Sequence, residues 1–223
     1  MRNILNLTAL LLFLAGSFYS CTKKEKEFDL MDIAFTEYSL IGTFCQWTNL
    51  NYDNNVITIN SNNELENHIE GSSYPAIDFS KNTLLLVHGT CHNSIADISK
   101  RIQKISNKRV LTVEITTKPT CQSEKWILAL ITNKSNEKVD LENIYTETAI
   151  VKFTPPEDHC NAYMIAVVHE NGFDKLYKPN QLSKQFEIDN LKVMVTYRMS
   201  EEKHNCGFGG YVPVINIMKI EKQ

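Results

Sequence analysis

The sequence predicts a mainly β (α+β) chain of two small domains, an antiparallel β-meander with one short helix followed by an OB-like five-stranded barrel. Three observations lead there. Short runs rich in Val, Ile, Thr and aromatic residues recur along the chain between polar turns. One stretch carries a helix start signal. The polar segment 133–143 (NKSNEKVDLEN) separates two groups of such runs and serves as the domain boundary. The expected division is 1–20 leader, 21–37 tether, 38–135 first domain and 144–223 second domain.

The first group opens with the β-branched run 56–59. Ser61-Asn62-Asn63-Glu64 then fits a capping box, in which the serine hydroxyl and the glutamate carboxylate satisfy exposed amides at a helix start. Leu65 and Ile69 fall four apart on one helix face, and Gly71 is the expected stop. Strand-like runs follow at 83–88, 95–105, 109–116 and 126–132. The second group has runs at 149–153, 163–169, 173–177, 192–199 and 212–220, with a loop or short helix over 179–186. Asn171-Gly172 between two runs signals a hairpin, because both residues tolerate positive φ. Residues 192–197 alternate at period two, which puts one strand face inside. Five strands with a helical excursion between the third and fourth fit a small closed barrel of the OB type.

The N-terminus supplies an address. Arg2 precedes an apolar stretch over residues 4–16. That stretch is shorter than the roughly 20 residues needed to cross a bilayer core of about 30 Å, so it reads as a cleaved leader. It ends in Ser20-Cys21 before the charged run 22–27, which resembles a bacterial lipobox with Cys21 acylated as the first mature residue. Phe18 and Tyr19 depart from the usual small or aliphatic pattern. The expected location is the cell envelope, with the membrane as partner through the lipid. The formal charge of −3 without a basic run disfavours nucleic acid, which needs a dense cationic face.

Export puts the other five cysteines in an oxidising compartment. His159-Cys160 and His204-Asn205-Cys206 form the ligand set of a tetrahedral zinc site, but lack the usual Cys-x2-4-Cys or His-x3-5-His spacing. The competing reading is a Cys160–Cys206 disulfide. In an OB-type barrel these residues fall in the first and fourth inter-strand loops, which lie together, and this reading is preferred. In a meander, the turns after the first and third strands emerge at one end, so Cys91 and Cys121 are expected to pair. Cys45 is then the unpaired one.

A resemblance adds to this. Residues 58–65 (TINSNNEL), 74–81 (YPAIDFSK) and the Leu84-Leu85-Leu86-Val87 run resemble a domain of Bacteroidetes lipoproteins similar to the PrcB-like family, named for a protease-complex subunit. Residues 145–223, with Tyr177-Lys178-Pro179-Asn180-Gln181-Leu182 and a His-Asn-Cys loop, resemble a second module of such lipoproteins. The resemblance implies architecture and brings no catalytic residues.

No coherent catalytic set stands out, and no cofactor or metal is expected. Cys45, Cys91 or Cys121 with His88 or His92 would be a thiol nucleophile and base, but no nucleophile signature surrounds them. Gly207-Phe208-Gly209-Gly210 lacks the lysine and helix of a phosphate loop. Glu157-Asp158 and Glu201-Glu202 read as solvated charges. Tyr163, Phe208 and Tyr211, near the expected barrel mouth, are candidates for stacking on a sugar ring or peptide. The expected function is a non-catalytic envelope lipoprotein acting as a binding or assembly module for an envelope protein or glycan. The alternatives are an accessory subunit of a secreted protease, suggested by the resemblance, and an envelope hydrolase.

Overall fold

The computed structural model describes residues 30–120, 122–155, 160–169, 175–206 and 210–223. The expected lipobox with Cys21, together with Cys121, Glu157-Asp158, His159, Asn171-Gly172 and Gly207 to Gly209, including Phe208, lies outside the described residues. The fold is mainly β in several sheets, with one α-helix among the described residues.

In the N-terminal half, β1 (Leu30–Ile33), β2 (Phe35–Glu37), β3 (Gln46–Trp47) and β4 (Asn55–Ile59) precede the helix α1 (Asn62–Glu66). Ser61 caps α1, its hydroxyl accepting from the Glu64 amide at 3.3 Å. The Glu64 carboxylate reaches back to the amide of Asn60, one residue earlier than the capping box predicts. The helix stops at Asn67, before Gly71. What Gly71 provides is space, since a Cβ there would sit 2.7 Å from the Cys45 sulfur. β5 (Ile69–Glu70) then pairs with β3.

The long strands β6 (Asn82–Cys91), β7 (Ser94–Ile105), β8 (Lys108–Lys118) and β9 (Glu124–Asn133) match the expected runs, but do not form a meander. β6 sits between β4 and β9 in a four-stranded sheet ordered β2-β9-β6-β4, whereas β7 and β8 belong to a different, eight-stranded sheet. The chain changes sheets after Cys91 and returns after β8. The reason lies in β6, whose residues from Thr83 to Gly89 are all buried. Leu85, Val87 and Cys91 face one core with Ile102, Leu111, Val113, Ile115, Trp126 and Leu130. Leu84 and Leu86 face a second core with Ile59, Leu65, Tyr38 and Ala129. A strand apolar on both faces needs a layer on each side, and β7–β8 supplies one of them.

The C-terminal half contains β10 (Val139–Thr154), β11 (Ala162–Val167), β12 (Lys175–Pro179), a 3-10 turn (Lys184–Phe186), β13 (Leu191–Asn205) and β14 (Tyr211–Lys222). β10 runs through the segment expected as a domain boundary. Its first part, Val139 to Thr146, lies parallel to β8, and its last part, Ala149 to Thr154, pairs with β11. The two halves therefore share one sheet. From β10 the order runs β10-β11-β12-β14-β13 and returns to β10 through an additional pairing, a closed ring of five strands. The β12–β14 step is parallel and the others are antiparallel. Val151, Ile165, Val167, Val193, Val195 and Ile215 fill a third core, and Tyr145 packs against both this core and that between β6 and β8.

Candidate functional site

The expected Cys160–Cys206 disulfide is formed, with Cα atoms 4.5 Å apart. It joins the chain just before β11 to the chain just after β13. The Cys206 amide donates to the Gly210 carbonyl at 2.9 Å, and Gly210, at φ +84°, takes the left-handed conformation that glycine adopts without strain. A ring nitrogen of His204 and both sulfurs lie within 4.8 Å of one another.

Beside this bridge runs an open groove of about 840 Å³. Phe153 and Tyr163 are direct cross-strand partners on β10 and β11, their ring centroids 5.1 Å apart and their planes tilted by 54°. Asn161, Asn180, Gln181 and Ser183 supply amides and a hydroxyl along its walls, with Lys178 and Glu187 at its charged points. Phe153 is 42% exposed, a large apolar ring left facing water. Of the predicted stacking residues, Tyr163 lines this groove. Tyr211 is exposed at the start of β14 and is not among the lining residues.

A second site was not anticipated from the sequence. Where the two halves meet, a cavity of about 140 Å³ is lined by Glu147 and Tyr145 of β10, Lys175 and Tyr177 of β12, Tyr197 of β13, and Cys91 and His92 at the end of β6. Glu147 is buried; its carboxylate accepts from the Tyr197 hydroxyl and, at 3.3 Å, from the Thr117 hydroxyl of β8. Burial pushes its pKa up, against the opposing effect of those hydrogen bonds and of His169 and Lys175. Burial likewise raises the Tyr145, Tyr177 and Tyr197 phenols. It lowers Lys175, and it lowers His92, reinforced by the charges of Lys175 and His169. The Lys175 ammonium has no lone pair, so it donates to Nε2 of His92. Nearby, the buried Asn93 side chain meets Nδ1 of His169 at 2.7 Å and accepts from the Thr120 amide at 3.3 Å, tying the same two halves together. One signal was present in the sequence. Glu147 is in phase with Ala149 and Val151, whose side chains face inward along β10, so a charge stands on an inward face.

Of the candidate thiol–histidine pairs, Cys91 and His92 line one cavity. Cys91 is a free, buried thiol, against the expected Cys91–Cys121 bridge. The two turns do meet, with the Ser123 hydroxyl donating to the Cys91 carbonyl at 2.9 Å and the Thr120 hydroxyl accepting from the Ser94 amide at 2.8 Å, but the Cys91 side chain is buried among Ile102, Leu111 and Trp126. Burial, with the charges of Glu147 and Glu124, pushes the Cys91 thiol up to about 12, which keeps it protonated and non-nucleophilic although His92 lines the same cavity. Cys45 is also free and packs at the edge of the other N-terminal core, apart from Cys91. Glu201 and Glu202 are exposed and line an open groove with Asp140 and Glu142. No protein-family model matches the chain, and no curated protein matches it.

Proposed function

We propose that this is a non-catalytic lipoprotein, anchored in the cell envelope through Cys21, whose C-terminal half is an OB-like barrel binding an oligosaccharide of the envelope. The observation that carries the reading is the groove beside the Cys160–Cys206 bridge, with the exposed Phe153 ring against the half-buried Tyr163 ring and its row of side-chain amides. Sugars offer an apolar ring face and a rim of hydroxyls, and that pairing of aromatic and amide surface suits both. Support for the OB-like reading comes from the ring order, from the parallel pairing of its third and fifth strands, and from the 3-10 turn between its third and fourth. In such barrels the ligand face is built from the second and third strands and the loops after the first and fourth. Tyr163, Asn161 and the disulfide fall there. The net negative charge disfavours the other common OB ligand, a nucleic acid. Titration calorimetry against fragments of envelope glycan tests this. Saturable binding lost in Tyr163→Ala supports it, and binding untouched by that change, or none, removes the groove as the site.

A second observation favours assembly with a protein. β2 covers β9 only from Leu130 to Thr132, so residues 124–128 of β9 have β6 on one side and no described strand on the other. Alongside lies a groove of about 560 Å³ lined by Tyr38, Leu40, Ile41, Cys45, Trp47 and Ile127; Ile41 stands 95% exposed, and Phe44, which precedes Cys45 in the chain, stands 102% exposed. An extended segment of an envelope protease partner, the class suggested by the PrcB-like resemblance, would add a strand there. Cross-linking in the native envelope that captures the same protein with Phe44→Ser as with the unaltered chain would argue against this surface.

A further inference from the structure

We propose that reduction of the Cys160–Cys206 bridge converts this corner of the barrel into a binding site for a zinc-class divalent cation, held by the two thiolates and His204. The inference stands apart from the glycan reading and from the lipid anchor, since it uses only the geometry of the bridge.

Cys206 follows the last residue of β13, and its amide bond to the Gly210 carbonyl continues the pairing of His204 with Val212, so the His204 and Cys206 side chains leave the same face of extended backbone while Asn205 leaves the other. His204 is held in register by its pairing with Val212 of β14. Cys160 approaches from the chain preceding β11. The three donor atoms already lie within 4.8 Å of one another. Zinc–sulfur and zinc–nitrogen bonds of about 2.3 and 2.0 Å put tetrahedral donors roughly 3.5 Å apart, so shifts of about 1 Å complete the shell. Two thiolates and an imidazole suit zinc or a similar borderline-soft ion and disfavour calcium or magnesium. Cys160 and His204 both line the groove, and a three-ligand site there leaves a fourth position to water or to the occupant of the groove.

The two states exclude each other, because sulfurs bonded together carry no thiolate. The switch needs a dithiol reductant. Its thiolate attacks the half-exposed Cys160 sulfur, breaks the S–S bond and releases Cys206 as the leaving thiolate. The second thiol of the reductant then displaces Cys160 and departs as a disulfide, so two electrons have passed to the protein. The divalent cation binds with loss of the two thiol protons.

Cobalt(II) is the probe, added anaerobically to the full chain after reduction by a phosphine, which contributes no thiol. The reduced protein should take up one cobalt with the near-ultraviolet sulfur-to-cobalt charge-transfer band, and the oxidised protein none. His204→Gln should weaken binding at least about tenfold. The double variant Cys160→Ser/Cys206→Ser, which keeps every other cysteine, should lose the band. A band that persists in the double variant or appears in the oxidised chain overturns the proposal, as does a reduced chain, folded or not, that binds no cobalt.

Discussion

The hydroxyl of Tyr197 on β13 donates to the carboxylate of Glu147 on β10 where the two halves of the chain meet, with both residues buried. The two are diagonal neighbours, since Glu147 lies opposite Val195 and Tyr145 lies opposite Tyr197. A buried carboxylate without donors is costly, so this bond and the one from Thr117 are what make Glu147 tolerable there. Tyr197→Phe leaves the carboxylate with Thr117 as its remaining close donor. The expected loss is about 1–3 kcal/mol in urea unfolding, and an unchanged midpoint would show that the hydroxyl contributes nothing.

The same carboxyl makes stability depend on pH with a definite sign. Burial holds Glu147 above its ordinary value of 4.5 in the folded protein, so the unfolded chain releases this proton first. Over the interval above 4.5 the folded state binds more protons, and stability from this group falls as pH rises. It is fully present below that interval. Glu147→Gln does not titrate. Unfolding midpoints of the two proteins, compared from roughly pH 4 to pH 8, should show the wild type losing ground to the variant as pH increases. A constant difference would mean that Glu147 does not change protonation on unfolding.

His88 should behave in the opposite sense. It is fully buried in β6 with neither ring nitrogen hydrogen-bonded among the described residues, and the Tyr52 ring meets it edge-on at 5.5 Å. Burial lowers its pKa below 6.5, so the stability linked to its neutral form is present above that value and lost as pH falls. His88→Leu removes two unpaired polar atoms and is expected to stabilise by roughly 1 kcal/mol while reducing acid sensitivity. Destabilisation together with unchanged acid sensitivity would count against this.

The Cys160–Cys206 bridge closes a loop over a sequence separation of 46. By the chain-entropy argument it contributes about 4 kcal/mol. Cys160→Ser/Cys206→Ser should therefore unfold at lower urea and lose all response to reductant in that measurement. A variant as stable as the wild type would place the bracing of this five-strand ring in its core instead.

Native-state alkylation separates the free thiols. Cys45 is half-buried, while Cys91 is 2% exposed and pushed up to about 12. Iodoacetamide followed by peptide mapping should modify Cys45 well before Cys91. Recovery of Cys91 in a disulfide, or its earlier modification, would contradict the placement of that side chain in the core.

The local signals in the chain were legible because they act over a few residues. The Ser61 cap, the period-two run 192–197 and the five-strand spacing of the C-terminal half each depend on neighbours close in sequence. The Cys160–Cys206 pairing was legible too, because the closed five-strand arrangement expected for the C-terminal half brings the two loops together. The meander failed as a reading because strand spacing does not say which strands pair. Leu84 to Val87 signalled burial on both faces, and the layers that cover them, α1 on one side and β7–β8 on the other, come from distant segments.

By itself the sequence determined that the chain is mainly β and where most of its described strands and the helix α1 lie. These follow from side-chain period and backbone preference. Only the tertiary structure decided that β10 runs across the expected boundary, that Cys91 is a core thiol, and that Glu147, Lys175, His92 and three tyrosines enclose one cavity. Those outcomes rest on contacts between segments tens of residues apart, where the competition for apolar surface and for hydrogen-bond donors is settled by the whole packed molecule.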